Sequence, residues 1–486
     1  MSTGSENNFS RKVISGSIWT YASVYGGKFL VFITTIILAR LLSKSDFGVV
    51  GYALVVISFL EVLIGLGVGP ALVFFQEEEG AADTAFWLGL AVGIFLYIVS
   101  WFIAPFVAIY FRDERVVPIV RLMTLVFLLY PLNFVHESLM IKRLEFRKKF
   151  LPGISRSTFK GLTAVILALF GFGYWSLAYA QIVGVFADVI TCWKVYKWRP
   201  RFRFVKRIAK SLISYGINIV ALDTLSMLLL NLDYLFIGRF LGTEALGVYT
   251  LGFRIPDLLI TQFTSVIERV IFPIYVKMRE IPDALENGFK ATLKYVSLVV
   301  LPMGVGMFLV AEPFVKTFLT EKWIEVIPVT RAIAIYATLF ALSRNAGSLY
   351  KAIGRPDILT KQASGRLVVL APALYFVSVK IGTISAVAWT HAAIALVAGT
   401  VNLIVAAWII KIPFLTILNS MRLAVVGTVG MAASVYGISL ISTQLFPWLQ
   451  LTLAVLTGLL VYVGLLILQD RGLISEFKAV FQEMRT

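Results

Sequence analysis

Cysteine is almost missing from this sequence: Cys192 stands alone among 486 residues. One thiol excludes an intrachain disulfide and any cysteine-rich zinc site. Histidine is nearly as scarce, and His136 and His391 lie too far apart in sequence to suggest a histidine-based metal centre. No metal is expected. Charge is also thin. Only 15% of residues are Asp, Glu, Lys or Arg, where a soluble domain carries about 25%, so the chain lacks the polar surface to coat a water-facing globule. Acids are the scarcer sign, 27 against 44 bases, leaving a formal charge of +17. Such an excess suits nucleic acid or an anionic membrane surface. The bases sit mainly between apolar runs, which favours the bilayer and argues against nucleic acid.

Hydrophobic residues, at 59%, fill the space the charges leave. A membrane helix needs about 20 largely apolar residues. Runs of that kind lie at 13–42, 48–75, 82–111, 116–141, 150–172 and 174–193, then at 208–240, 246–275, 295–318, 327–350, 358–379 and 383–410, and finally at 415–441 and 449–467. The expected fold class is an all-α integral membrane protein of about fourteen transmembrane helices. The first run is too long for the apolar core of a cleavable signal and reads as a retained helix. Tryptophans 19, 175, 193, 198, 323, 408 and 448 fall near run ends, where interfacial belts form.

Lysine and arginine set the orientation. The connection between runs 6 and 7 carries Lys194, Lys197, Arg199, Arg201, Arg203, Lys206, Arg207 and Lys210, and that between runs 4 and 5 carries Lys142, Arg143, Arg147, Lys148 and Lys149. Odd-numbered connections are sparse in bases, so both termini are expected in the cytoplasm and the chain in the cell membrane. The acidic stretch 76–79 dissents from the even-numbered pattern, but acids weigh little in this rule.

A repeat runs through the chain. Leu38-Ala-Arg-Leu-Leu-Ser-Lys-Ser-Asp-Phe-Gly-Val-Val50 returns as Ile237-Gly-Arg-Phe-Leu-Gly-Thr-Glu-Ala-Leu-Gly-Val-Tyr249, with Arg40 matching Arg239 and Gly48 matching Gly247 at an offset of 199. Ser138-Leu139 matches Ser348-Leu349 at 210, and Gly173-Tyr-Trp-Ser176 matches Gly382-Thr-Ile-Ser385 at 209. Three matches at a nearly constant offset argue for duplication of a six-helix unit. Six is even, so the halves share one orientation about an axis along the membrane normal, the parallel-repeat plan of many secondary transporters. The division expected is residues 1–207 with the basic linker, 208–411 as the second lobe, and 412–486 as a terminal helix pair and tail.

Ser15-Gly-Ser-Ile-Trp19, Leu38-Ala-Arg-Leu-Leu42 with Phe47-Gly48, Arg143-Leu-Glu-Phe146, Asn231-Leu-Asp233, Tyr249-Thr-Leu-Gly-Phe253 and Glu321-Lys-Trp323 with Pro328 follow one another in a telling order. Together they resemble the Wzx-type polysaccharide exporters of the multidrug/oligosaccharidyl-lipid/polysaccharide flippase superfamily, the colanic-acid and teichuronic-acid exporters above all, from about residue 15 to about 410. The resemblance implies a V-shaped pair of lobes. It implies a flippase that moves a polyprenyl-diphosphate-linked oligosaccharide from the inner to the outer leaflet by alternating access, with polysaccharide polymerase machinery as a prospective partner.

A diphosphate cannot cross hydrocarbon unescorted, and cations inside spans usually face a cavity because they cost at least about 2.5–3.5 kcal/mol against lipid. Lys28, Arg254 and Arg344 are the candidate diphosphate-binding cations, against salt bridges such as Arg254 with Asp257 or Glu268 with Arg269. Arg156, Lys160, Lys290, Lys294 and Arg366 lie near expected cytoplasmic ends and read as snorkelling side chains. Asp223 and Asp233, ten residues apart and roughly on one helix face, are candidates for proton or sodium coupling, against hydrogen-bonded packing. No other cofactor is expected beyond an ion gradient or the membrane potential. A small-molecule exporter on the same lobes would be expected to carry an acidic pocket. A membrane glycan polymerase or transferase needs a sizeable external loop, and the external connections are short, with no catalytic triad or phosphate loop. Neither an enzyme nor a drug exporter is therefore the leading expectation.

Overall fold

A computed structural model describes residues 26–65, 80–143, 145–470 and 472. Every regular element among them is helical. Ten helical stretches among these residues are long and apolar enough to cross a membrane, with 116–142 taken as one. The expected first span is described only over 26–41, as helix α1, and the acidic stretch 76–79 lies outside the described residues. The chain forms two compact units, 1–250 and 251–486, with the boundary inside one helix.

In the first unit follow α2 (Lys44–Gly65), α3 (Ala81–Phe111), α4 (Val116–Met123), α5 (Val126–Lys142), α6 (Phe146–Leu169), α7 (Tyr174–Val195) and α8 (Lys206–Phe240). The run at 116–141 is thus two helices rather than one. Between them the buried Thr124 hydroxyl bonds the Val120 carbonyl at 2.7 Å and accepts from Ser100 of α3 at 2.8 Å. Helix α6 is long, but Arg156 and Lys160 interrupt its apolar character. The basic segment 196–205 is extended and pinned to the start of α3. The Arg201 and Val205 amides donate to Asp83 and Thr84 at 2.9 and 3.1 Å, and the Trp87 indole donates to the Arg201 carbonyl at 2.8 Å. That connection carries no slack there, because its backbone donors are bonded to side chains of α3.

The next helix, α9 (Thr243–Pro256), runs through a π-turn at Asp257–Thr261 into α10 (Gln262–Met278). Proline has no N–H for the helical ladder, so the register slips where Pro256 ends α9. In the second unit α11 (Ala284–Phe318), α12 (Val326–Ala352), α13 (Asp357–Phe376), a second π-turn at Val377–Ile381, and α14 (Ile384–Ile409) follow. Helix α11 starts well before the expected 295: its first turns are a polar extension held by Lys290 to Glu286 at 2.8 Å. Helix α12 is the centre, buried along most of its length between α11 and α14. Short α15 (Phe414–Ser420) leads to the terminal pair α16 (Arg422–Ile441) and α17 (Pro447–Gln469). This pair packs on α11 through Met431, Val435 and Tyr462 against Val305 and Leu309, and the Tyr462 hydroxyl donates to the Leu298 carbonyl at 2.6 Å.

The duplication read from sequence is visible in backbone detail. Gly173 and Gly382, 209 apart, both take positive φ, 53° and 70°, at the turns that open α7 and α14. Within the first unit, a Cβ on Gly48 would overlap the carbonyl of Thr243, and one on Gly247 would overlap the carbonyl of Lys44. Lys44 and Thr243 are themselves 199 apart. Each repeat presents its glycine to the same backbone atom of the other, the relation expected of two copies facing across a local twofold axis. Glycine is required because a carbonyl cannot rotate away as a side chain can. Gly48→Val and Gly247→Val should each lower stability by about 1–3 kcal/mol, whereas Gly437→Ala, with open space around it, should not. Thermal unfolding in detergent checks this, and equal melting temperatures for Gly48→Val and wild type would refute the close contact.

Candidate functional site

The candidate cations sit in different surroundings. Lys28 is half-buried on α1. Arg254 is exposed in the last turn of α9, two residues before Pro256 and the π-turn, and makes no hydrogen bond or ion pair with a described residue. Arg344 is held: its Nε and Nη2 donate to Glu268 Oε2 at 3.0 and 2.6 Å, and Lys351 Nζ lies 3.5 Å from the other carboxylate oxygen. Two cations thus share one acid, which leaves a positive surplus on α12. The bridge runs from Glu268 to another helix; the side chain of Arg269, the partner the sequence offered, lies outside the described residues. Asp257 accepts from the Gln262 amide at 3.3 Å, one turn further along and away from Arg254.

Asp223 and Asp233 do not share an environment. Asp233 is fully buried and accepts from the Tyr249 hydroxyl at 2.5 Å, whereas Asp223 is exposed. Ten residues at about 100° each fall some 80° short of a whole turn, enough to put one carboxylate into the helix packing and the other outside it.

Three of the cations expected to snorkel are bonded into the first or second unit. Lys160 donates to Gln181 Oε1 at 2.5 Å, Lys290 to Glu286, and Lys294 lies 3.6 Å from Asp470. Arg156, half-buried, belongs to a polar cluster on α5, α6 and α7 that the sequence reading did not assemble. Its Nη2 donates to the Tyr130 hydroxyl at 3.1 Å and its Nη1 lies 3.9 Å from Asp188. Asp188, 2% exposed, also accepts from Asn133 at 2.8 Å. Glu137, Asp188 and Cys192 bring potential ligand atoms close together. Asp188 there is already occupied by Arg156 and Asn133, and Glu137 lies 3.5 Å from Lys149, so the donor set is neutralised by cations of the protein itself.

A second polar network ties the odd-numbered connections of the first unit. Asp113 accepts from Arg115 Nε at 2.9 Å and Nη2 at 2.8 Å, and from the Thr243 hydroxyl at 3.0 Å. Arg115 Nη1 donates to Ser45 at 3.0 Å, and the Tyr52 hydroxyl donates to Thr243 at 3.1 Å. Burial by itself would push the Asp113 carboxyl up, but the bonds from Arg115 and Thr243 outweigh it and hold it below the usual carboxylate range. A depressed native value means stability that is present above the unfolded value, about 3.9, and lost as pH falls through the native one. Asp113→Asn should cost about 1 kcal/mol at neutral pH. Its gap in melting temperature from wild type should persist down to about pH 4 and close below. A gap that widened on acidification would contradict the assignment. Asp188→Ala should be costlier, about 1.5–3 kcal/mol, because it takes the acceptor from buried Asn133 and the acid from half-buried Arg156, which keeps Tyr130; a thermal melt reads it directly.

Comparison with known proteins places this geometry. The sequence profile of a family described as "Polysaccharide biosynthesis protein" matches residues 37–328. The teichuronic acid biosynthesis protein TuaB of Bacillus subtilis (strain 168) is 27% identical over 477 residues, 95% of this chain and 96% of that protein. The lipopolysaccharide biosynthesis protein WzxC of Escherichia coli (strain K12) is 24% identical, covering 72% of each. Among solved structures, the lipid II flippase MurJ in an inward closed conformation shares the fold with a TM-score of 0.73 at 14% identity, over 95% of this chain and 100% of that one. An inward-facing multidrug resistance transporter of the MATE family follows with a TM-score of 0.66 at 15% identity, over 81% and 98%.

Proposed function

This chain belongs to the polysaccharide biosynthesis protein family, and we propose that it is a flippase that carries a polyprenyl-diphosphate-linked oligosaccharide from the cytoplasmic to the outer leaflet of the cell membrane. The observation that carries the reading is the family match over 37–328, supported by a relative in teichuronic acid biosynthesis along nearly the whole chain. The helices supply the means. Their apolar faces meet lipid, and the cations among them can offset the desolvation of a dianionic headgroup, with arginine able to grip a phosphate through two N–H bonds.

In this account both termini and the basic connections stay cytoplasmic, and the duplicated halves, 1–207 and 208–411, alternate access while the lipid tail remains in the bilayer. Arg254 is the foremost diphosphate ligand because it is exposed and has no hydrogen-bond or ion-pair partner among the described residues. Lys28 assists from α1. Arg344 and Lys351 together exceed the charge of Glu268, so an incoming phosphate can share Arg344 without stranding the acid. With the cell interior negative, carrying two negative charges outward is favoured by about 4.6 kcal/mol per 100 mV when no cation travels with them. Asp223, exposed on α8, is the better placed of the two acids to exchange a proton or sodium ion, since Asp233 is committed to Tyr249.

Purified protein in vesicles carrying a fluorescent undecaprenyl-diphosphate sugar tests the reading. Translocation should exceed that of empty vesicles and respond to an imposed voltage or ion gradient. Transport of organic cations with no movement of the lipid would instead make it a drug exporter. Lys28→Ala with Arg254→Ala should cut the rate at least tenfold, about 1.4 kcal/mol in the barrier. A double variant as fast as wild type would remove both residues from the substrate path. Cysteines placed at 202 and 172 in a Cys192→Ser background should react from opposite sides of the membrane, 202 from the cytoplasm.

A further inference from the structure

The duplication copied an arginine, and the two copies met different fates. Arg156 and Arg366 are 210 residues apart, as are Tyr130 and Phe340 and as are Asn133 and Ser343. That is the offset of the Ser-Leu match already noted. In the first unit the Arg156 guanidinium lies 5.5 Å from the centre of the Tyr130 ring, and in the second the Arg366 guanidinium lies 5.9 Å from the centre of the Phe340 ring. The geometry of cation over ring therefore survives in both copies. Its polar complement does not.

Arg156 has a hydroxyl on Tyr130 and a carboxylate on Asp188, itself steadied by Asn133. Phe340 has no hydroxyl. The position 209 after Asp188 is Val397, and Asn133 is replaced by Ser343, whose hydroxyl donates to the Phe340 carbonyl within its own helix at 2.9 Å. Arg366 is left beside Tyr336, at 5.8 Å, and Phe340, whose rings stack on each other at 5.7 Å, with Nε and Nη2 shielded from solvent and bonded to no described residue. The acid nearest in kind, Glu268, is committed to Arg344 and Lys351. Aromatic faces attract a cation but replace only part of its hydration, and shielded guanidinium donors without acceptors are costly to retain. Among the described residues no acid meets Arg366, so an anion from outside them would offset that cost.

We propose that Arg366 is an anion-binding residue of the second half, donating to a phosphate oxygen of the lipid-linked substrate beside the stacked Tyr336 and Phe340 rings, while Arg156 is its internally neutralised counterpart and binds no substrate. The proposal rests on the flippase reading for the identity of the anion. The two arginines divide the labour: the acid-paired copy holds three helices together, and the unpaired copy, on α13, stays available to an incoming dianion.

Binding of undecaprenyl diphosphate to the purified full chain in detergent, with undecaprenol as the uncharged comparison, tests both levels. Wild type should prefer the diphosphate. Arg366→Gln should weaken diphosphate binding at least tenfold and leave undecaprenol binding unchanged, and Arg366→Lys should fall between. Arg156→Gln should melt at a lower temperature without ligand yet retain diphosphate affinity within about twofold. In the wild-type chain saturating diphosphate should also protect Arg366 from phenylglyoxal, as read by peptide mass spectrometry, which decides the matter if Arg366→Gln does not fold. Equal diphosphate affinity in Arg366→Gln and wild type, or no protection of Arg366, overturns the assignment and leaves the flippase reading standing. A wild-type chain that binds undecaprenol as tightly as the diphosphate overturns the flippase reading and this proposal with it.

Discussion

A charge inside the hydrocarbon must have company, and most of the polar architecture of this protein follows from that requirement. Each ionic or polar group that enters a span carries a desolvation cost that only a partner, water or a ligand can offset. The partners are specific. Glu268 draws Arg344 and Lys351 from α12, Asp188 draws Arg156 and Asn133 across three helices, and Tyr249 closes on Asp233. These contacts tie helices that apolar packing alone would hold only loosely, because lipid tails are as apolar as the leucines they meet. The same requirement makes a shielded arginine without a partner among the described residues informative.

Duplication supplies the second organising fact. Matching stretches of the chain share glycines with the same backbone role: the positive-φ glycines before α7 and α14, and the reciprocal approach of Gly48 and Gly247 to a backbone carbonyl. What differs is where the halves were free to specialise. Tyr130 with Asp188 became Phe340 with Val397, and a neutralised pair became an isolated cation.

Rigidity and give are distributed along the chain in the same sense. The extended segment 196–205 is bonded to α3 by its own amides, so the basic connection is braced rather than loose. Both π-turns, at Asp257–Thr261 and Val377–Ile381, lie one to five residues beyond a proline. There the ladder of backbone bonds is already interrupted and a change of helix register costs least. Arg254 stands just before the first of them. The terminal pair α16 and α17 clasps α11 through apolar contacts and the Tyr462 bond, outside the duplicated core.

The sequence by itself determined the solvent, the helical class, the duplication and the family, because each depends on composition, on a one-dimensional period or on motif order, and these survive any rotation of the helices. It did not determine which charge meets which. Asp223 and Asp233 looked alike at ten residues' spacing, and only packing buried one and exposed the other; Arg156 looked like a snorkelling side chain until α5 and α7 brought Tyr130 and Asp188 to it. Pairing depends on how each helix is turned about its axis and which neighbour it faces, and that is set by contacts between residues tens to hundreds of positions apart. The offset of 210 that links Tyr130 to Phe340 and Arg156 to Arg366 was present in the sequence throughout, but only the tertiary structure showed that one arginine of the pair had kept its acid and the other had not.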